Sequence, residues 1–157
     1  MRIGFGYDVH ALVAGSSLTL GGIAIPNNKA AKGHSDADVL IHAIIDALFG
    51  AAALRDIGFH FPDTDPAYKN ADSKILLGKA VAMLQDEGYA IGNIDCTISL
   101  QHPKIETHIP AMLDALCQVM RISKSQLSIK AKTSEKLGFI GREEGIAAYA
   151  VVLIRKS

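Results

Sequence analysis

Apolar and polar residues alternate along the first part of the chain. Ile3, Phe5, Tyr7 and Val9 are separated by smaller or polar residues, which is typical of a β-strand over Arg2–His10. Two short alternating runs, Ser17–Leu20 and Ile23–Pro26, flank a pair of glycines and predict a β-hairpin. The chain therefore begins with β-structure.

The segments after this hairpin include several with the periodicity of a helix. Val39–Leu54 is apolar on all sides, which predicts a mostly buried helix with Ser35 or Asp36 as its N-cap. Further segments, in chain order, are a long loop over Arg55–Asn70, a helix over Ala71–Glu87, a strand over Ile91–Leu100, a helix over His108–Met120, a strand over Leu127–Lys132, a glycine-bearing loop over Glu135–Gly145, and a strand over Ile146–Ile154. This mixture predicts an α/β fold (an α+β sandwich): one domain over residues 1–157, with a mixed sheet and helices packed on one face.

Composition narrows the function classes. Sixteen basic residues balance sixteen acidic ones, so the chain lacks the basic surface expected for binding nucleic acid or a charged membrane. No apolar run approaches the roughly 20 residues that span a bilayer. Cys96 and Cys117 lie among apolar residues and are expected to be buried free thiols. We expect a cytoplasmic protein, or an organellar one (of the plastid type) if a transit segment was removed.

Three residues form a candidate metal site. Asp8 and His10 are two apart on a predicted strand, so their side chains point to the same face. His42 lies on the apolar helix, where a histidine is either a hydrogen-bonded core residue or a third ligand. Two imidazoles and a carboxylate leave one tetrahedral position open, which is typical of catalytic zinc. Asp38 and Asp46, one turn either side of His42, are candidate acceptors for its second ring nitrogen.

Other segments carry polar groups with more than one interpretation. Gly33–Asp36 precedes a helix and is either a phosphate site or an ordinary cap. Asp56 and the Phe61–Asp65 carboxylates suit sugar hydroxyls, or merely shape the loop. Glu135 and Arg142 lie in a segment that is either a phosphate-binding region or a solvated charged hairpin.

Together these motifs resemble the 2-C-methyl-D-erythritol 2,4-cyclodiphosphate synthases. The resemblance covers essentially the whole chain. It rests on Asp8-Val9-His10, His34-Ser35-Asp36 with Asp38 and His42, Asp56-Ile57-Gly58, Phe61-Pro62-Asp63-Thr64-Asp65-Pro66, Pro103-Lys104, and Thr133–Phe139 with Gly141-Arg142. So many motifs in one order are far more specific than any one of them.

The resemblance implies a homotrimeric, metal-dependent lyase with active sites between subunits. It implies that the 2-phosphate of 4-diphosphocytidyl-2-C-methyl-D-erythritol 2-phosphate attacks the β-phosphorus, releasing CMP and a cyclic diphosphate. Asp8, His10 and His42 would hold Zn²⁺, Glu135 a second ion (Mg²⁺ or Mn²⁺), and His34 and Thr133 would stabilise the transition state.

The same resemblance implies a set of substrate-binding residues and a central cavity that could take an isoprenoid phosphate. The substrate-binding set is Asp8, His10, His34, Ser35, Asp56, Ile57, Gly58, Phe61, Pro62, Asp63, Thr64, Asp65, Leu100, Gln101, His102, Pro103, Lys104, Ile105, Glu106, Lys132, Thr133, Ser134, Glu135, Phe139 and Arg142. Leu100–Glu106 would form the cytosine pocket of a neighbouring site.

Six positions depart from the family pattern. Ala37, Asn70 and Glu143 stand where glycine is common, Arg55 where a small residue is common, and Lys132 and Ser134 in place of threonines. None of these changes removes a proposed ligand. Two other functions remain open from the residues: a zinc-dependent phosphohydrolase, and a trimeric protein that binds phosphorylated isoprenoids around a structural metal.

Overall fold

The computed structural model describes residues 1–157 and shows a mixed five-stranded sheet beside a two-stranded hairpin. The strands are β1 (Arg2–Ala14), β2 (Ser17–Leu20), β3 (Ile23–Pro26), β4 (Lys29–Ala31), β5 (Tyr89–Ser99), β6 (Leu127–Lys132) and β7 (Gly145–Lys156); the helices are α1 (Val39–Ala52), α2 (Ile57–His60), α3 (Ser73–Asp86), α4 (Ile109–Met120) and α5 (Gly138–Gly141). The sheet order is β4-β1-β7-β5-β6, and only β5 and β6 run parallel. The predicted mixed α/β fold is confirmed.

Helix α1 lies directly on β1 and β7, and α3 packs on α1. Its close approach to β1 depends on two glycines. A Cβ at Gly4 would lie 1.9 Å from the carbonyl oxygen of Ala47, and one at Gly6 would lie 2.0 Å from that of Ala43. Side chains at these positions would therefore push the helix off the strand. The alternation of β1 places Asp8 and His10 on this same helix-facing side.

Asp38 joins α1 to the hairpin. Its fully buried carboxylate accepts the N–H groups of Ile41, Gly21 and Gly22, so Asp38, and not Ser35 or Asp36, is the N-cap. Burial raises the pKa of Asp38, although these three hydrogen bonds oppose the shift. The prediction of Ser35 or Asp36 was wrong because α1 begins at Val39, and the residue directly before the first helical residue is the one whose carboxylate reaches the free N–H groups.

The loops contain more structure than their composition predicts. Arg55–Asn70 includes α2 and a 3₁₀ turn at Pro66–Tyr68, and the second glycine-bearing loop includes α5. Such four-residue helices are too short to show a hydrophobic period, and β4 is a three-residue edge strand.

The two cysteines are free and buried, as expected, and burial raises the pKa of Cys96 to about 12.

The opposite face of the sheet carries no helix. Its β1–β7 half exposes apolar side chains, among them Ile3, Phe5, Tyr7 and Val9 on β1 and Tyr149 and Val151 on β7. The β5–β6 half is polar, with an ion pair between Asp95 and Lys130 at 2.6 Å. We call the β1–β7 half the open apolar face.

No helix is both long and apolar enough to cross a membrane.

Four of the six departures from the family pattern fall at residues with positive φ. Ala37, Arg55, Asn70 and Glu143 have φ values of 56°, 74°, 56° and 57°. Glycine adopts this left-handed region without a steric penalty, whereas other L-residues lose roughly 1 kcal/mol or more. The backbone therefore keeps the conformation that glycine would favour even where this chain has a side chain.

The α1–β1 contact predicts opposite effects for two glycine substitutions. Gly6→Ala should lower the free energy of unfolding by about 3 kcal/mol or more, because its methyl group meets backbone atoms that cannot move aside. Gly50→Ala should raise it by about 0.5–1 kcal/mol, because Gly50 lies inside α1 with its nearest atom at 3.9 Å. Thermal unfolding of the two variants tests this, and equal effects would contradict the packing argument.

Candidate metal and phosphate site

Asp8, His10 and His42 come together where α1 crosses β1. The Nε2 atom of His10 lies 2.9 Å from Oδ2 of Asp8, Nδ1 of His42 lies 3.0 Å from the same oxygen, and the two nitrogens are 3.2 Å apart. Ligand atoms at about 2.0–2.1 Å from a tetrahedral metal are separated by about 3.3 Å. The triangle therefore has nearly the size that a single metal ion requires.

The outer nitrogen of His10 fixes the direction of its lone pair. Nδ1 lies 3.0 Å from the backbone carbonyl oxygen of Lys32, and a carbonyl oxygen can only accept. Nδ1 therefore carries the hydrogen, which leaves the lone pair of a neutral His10 on Nε2. That lone pair faces the carboxylate of Asp8, an arrangement that needs a positive charge between them.

His42 is oriented by a different kind of partner. Its Nε2 lies 3.0 Å from Oγ of Ser73 and 3.2 Å from Oγ of Ser35, while the hydroxyl of Ser73 donates to Asp36. The predicted acceptors Asp38 and Asp46 were wrong: Asp38 caps α1, and Asp46 accepts the N–H of Ile57 at 2.8 Å. Ser73 was not predicted as a partner because it lies 31 residues from His42 in the sequence. The one signal in the sequence was its position directly after Asp72 at the start of a helix.

The electrostatics of the site also favour a cation. Burial would raise the pKa of Asp8, but hydrogen bonds and charges from His10 and His42 outweigh it and hold that pKa well below its usual value. Burial would lower the pKa of His10, but Asp8 reverses the effect and raises it above 6.5. With one oxygen and two nitrogens converging, the donor set fits a divalent metal of the zinc type, and the three residues form the one His/Cys/Asp/Glu cluster with metal-site geometry.

A pocket of about 470 Å³ opens beside these ligands. It is lined by His10, Gly33, His34, Ser35, His42, Ile57, Gly58, Phe61, Asp63, Tyr68 and Leu76. Seven of the predicted substrate-binding residues are thus brought together from β1, the segment before α1, and the loop around α2. Asp56 does not line the pocket; it caps α2 by accepting the N–H of Phe59 at 2.8 Å.

A second group of predicted residues lies at a separate pocket. This smaller cavity has a volume of about 130 Å³ and is lined by Leu100, Pro103, Lys104, Ile105, Glu106, Ala131, Lys132 and Thr133. The row of paired residues Val9, Ala147, Ser99 and Lys132 runs across four strands from one site to the other. At about 4.8 Å per strand, the backbones of Val9 and Lys132 are about 14 Å apart at the same end of the sheet.

The remaining predicted residues line neither of these two pockets, and Phe139 packs beside Gly145, which pairs with Ala11 on β1. Thr133 donates to Oε1 of Glu135 at 2.9 Å, and the Gln101 side chain accepts the N–H of Lys136 at 3.2 Å. The peptide bond between His102 and Pro103 is cis. Phe139 is exposed, and Ser134 donates to the carbonyl oxygen of Leu137 at 2.7 Å.

Arg142 is engaged by a neighbouring acid. Its guanidinium group contacts both carboxylate oxygens of Glu144, at 3.0 and 3.1 Å. Glu144 accepts from two of the five N–H donors of Arg142, so the remaining three are available to a phosphate. Pro62, Thr64 and Asp65 belong to the loop around the first pocket without lining it, and Asp65 caps the 3₁₀ turn.

Comparison with known proteins gives the class. A model of the YgbB family matches residues 1–155, and the chain belongs to that family. It is 59% identical over 156 residues to 2-C-methyl-D-erythritol 2,4-cyclodiphosphate synthase of Bacteroides fragilis, covering 99% of this chain and 98% of that protein.

Solved structures agree with this relationship. The bifunctional IspDF of Campylobacter jejuni superposes with a TM-score of 0.95 at 39% identity, over 99% of this chain and 42% of that one. The complex of Plasmodium falciparum IspF with CDP gives a TM-score of 0.87 at 37% identity, over 99% of this chain and 96% of that one. The chain therefore shares its whole fold with proteins of this group.

The raised pKa of His10 predicts that metal binding weakens on acidification. A metal and a proton compete for Nε2, and because the pKa lies above 6.5 the competition begins at a higher pH than for an ordinary histidine. The Zn²⁺ dissociation constant should therefore rise steadily as the pH falls from 8 to 6. His34→Gln, a pocket residue outside the ligand set, should show the same profile. A constant affinity over this range would contradict the assignment of His10 as a ligand.

Proposed function

We propose that this protein is a cyclodiphosphate synthase acting on 4-diphosphocytidyl-2-C-methyl-D-erythritol 2-phosphate. An oxygen of the 2-phosphate forms a bond to the β-phosphorus, and the bond from that phosphorus to the bridging oxygen breaks. CMP leaves, and 2-C-methyl-D-erythritol 2,4-cyclodiphosphate remains. The observation that carries the proposal is the Asp8–His10–His42 triangle, with metal-ligand spacing, at the wall of a pocket that contains His34 and Ser35.

The nucleophile and the leaving group belong to one substrate, so the protein needs no nucleophile of its own. Its task is to fold the substrate and to offset the repulsion of two phosphates. Asp8, His10 and His42 would hold Zn²⁺, which supplies positive charge to polarise a phosphate when bound. His34 and Ser35 lie beside these ligands and are placed to donate to phosphate oxygens.

The loop around α2 would bind the methylerythritol unit. Asp63 and Gly58 line the pocket, and a carboxylate and backbone groups suit hydroxyl groups. Asp46 holds the start of this loop against α1 through its hydrogen bond from Ile57. Asp56, Phe61, Pro62, Thr64 and Asp65 complete this substrate-facing loop.

The second pocket would bind the cytidine part and the remaining phosphates. Leu100–Glu106 forms the cytosine side, and Thr133 and Glu135, joined by a hydrogen bond, form the phosphate side. Glu135 would hold Mg²⁺ or Mn²⁺ through the substrate phosphates, and Thr133 would donate in the transition state. Lys132 lines this pocket, and Ser134, Phe139 and Arg142 follow it along the chain and would complete the phosphate-binding set. The P. falciparum relative binds CDP, which supports a cytidine-linked substrate here.

The active enzyme would be a homotrimer. The open apolar face exposes Phe5 at 63% and Ile3 at 72%, an arrangement that in soluble proteins marks a contact surface. The two pockets share no residue, so packing three copies around this face would let the first pocket of one subunit meet the second pocket of its neighbour. The interior of such a trimer would form an apolar cavity with room for an isoprenoid phosphate.

The proposed reaction is tested by its products. The cytidyl substrate, incubated with the protein, Zn²⁺ and Mg²⁺, should yield a cyclic diphosphate and CMP, followed by phosphorus NMR. His42→Ala should lower kcat/KM by about 10²–10³-fold, because the ligand triangle is incomplete. His108→Ala, on the turn before α4 and outside both pockets, should keep full activity. A linear phosphate product would favour a hydrolase, and full turnover by His42→Ala would overturn the metal-site argument.

The proposed trimer is tested by charge on the open apolar face. Phe5→Glu should convert the trimer to monomers at micromolar concentration, because burying three carboxylates near one another is strongly unfavourable. Ile75→Glu, an equally drastic change at an exposed residue of α3, should leave the assembly intact. Sedimentation velocity of wild type and both variants measures this. A wild-type monomer, or a trimeric Phe5→Glu variant, would contradict the proposal.

A further inference from the structure

Two serines contact the same nitrogen of His42, and the structure gives them different tasks. Ser35 lies in the segment before α1 and lines the pocket, whereas Ser73 is the first residue of α3 and is completely buried. Both hydroxyl oxygens lie within 3.2 Å of Nε2. Their sequence contexts do not separate their roles, but their hydrogen-bond partners do.

The hydrogen of Ser73 is already committed. Its hydroxyl donates to Oδ1 of Asp36, and its backbone N–H donates to Oδ2 of the same carboxylate at 2.9 Å. A hydroxyl has one hydrogen, so the oxygen of Ser73 faces Nε2 with a lone pair. It can only accept, and Nε2 must carry the hydrogen. The lone pair of His42 is thereby directed to Nδ1, toward Asp8 and His10.

The hydroxyl of Ser35 is not committed in this way. Its oxygen accepts the N–H of Ala37 at 3.3 Å, which leaves its own hydrogen available. Because Ser35 lines the pocket, that hydrogen can be donated to a ligand there. The pair of serines thus divides into one that faces the histidine and one that faces the pocket.

We propose that Ser73, held by Asp36, is the positioning residue that fixes the tautomer of His42 and so sets the affinity of the metal site. This inference rests on the proposed metal site and extends it to residues of α3. His10 needs no such side chain, since the carbonyl oxygen of Lys32 performs the same task. Of the two histidines, only His42 therefore depends for its orientation on a hydrogen-bonded pair of side chains, those of Ser73 and Asp36. Removing such outer partners typically weakens metal binding 10–100-fold.

The test measures metal binding and not turnover. Zn²⁺ affinity is determined by competition with a chelator for wild type, Ser73→Ala, Asp36→Asn and the matched control Ser35→Ala. Ser73→Ala should weaken Zn²⁺ binding by about 10–100-fold and Asp36→Asn should weaken it in the same direction, while Ser35→Ala should stay within about threefold. A Ser73→Ala affinity equal to that of wild type would overturn the inference.

A second measurement separates positioning from a structural role at the start of α3. In the Zn²⁺-loaded protein, the Nε2–H proton of His42 should exchange slowly with water, remain slow in Ser35→Ala and exchange at least about tenfold faster in Ser73→Ala. Equal exchange rates in Ser35→Ala and Ser73→Ala would contradict the positioning role of Ser73. A Ser73→Ala variant that loses thermal stability but keeps its Zn²⁺ affinity would contradict it as well. The wild-type exchange rate needs no variant, so poor folding of Ser73→Ala leaves the test intact. If wild type binds no Zn²⁺, the proposed metal site itself fails, which is a separate result.

Discussion

The close packing of α1 on β1 is the contact on which the site depends. Gly4 and Gly6 allow the helix backbone to approach the strand more closely than any side chain would permit. Gly6 lies opposite Ala43, the residue after His42, and two residues before Asp8. The same contact that fills the core therefore brings a helical histidine to a strand carboxylate. A side chain at Gly6 that pushed the helix away would also separate His42 from Asp8, so core packing and the ligand triangle depend on the same close approach.

Two features around this contact then determine its chemistry. Outer partners fix the two imidazoles, a backbone carbonyl for His10 and the Asp36–Ser73 pair for His42, so that both lone pairs point inward. The carboxylate of Asp8 lies at the same point, and its pKa is held low by the histidines. Three electron-rich atoms held this close repel one another unless a cation lies among them, which is how a site can be organised before its metal arrives.

The rest of the proposed site follows from sheet topology. Because β1 and β6 lie three strand positions apart, the Asp8–His10–His42 cluster and the Thr133–Glu135 pair are separated within one chain. In the proposed trimer, the open apolar face would let another copy bring its second pocket to the first. The order of the strands would then link the proposed substrate geometry, metal site and assembly.

Much of this could be predicted from the sequence. The alternation of β1 and the Asp8–Val9–His10 spacing indicated two ligands on one face, because this signal is local, whereas the pattern of α1 left His42 as either a core residue or a third ligand. The family resemblance supplied the reaction. The Asp38 cap was a local signal that was missed, since Asp38 directly precedes Val39 and accepts the N–H of Ile41 three residues on. The sequence could not show that Ser73 rather than Asp46 contacts His42, or that α2 and β4 form, because these depend on contacts between groups far apart in the sequence. The sequence by itself identified Asp8, His10 and His42 as candidates. Only the tertiary structure decided that they converge and which groups orient them, because residues 32 to 34 positions apart meet only when α1 packs on β1.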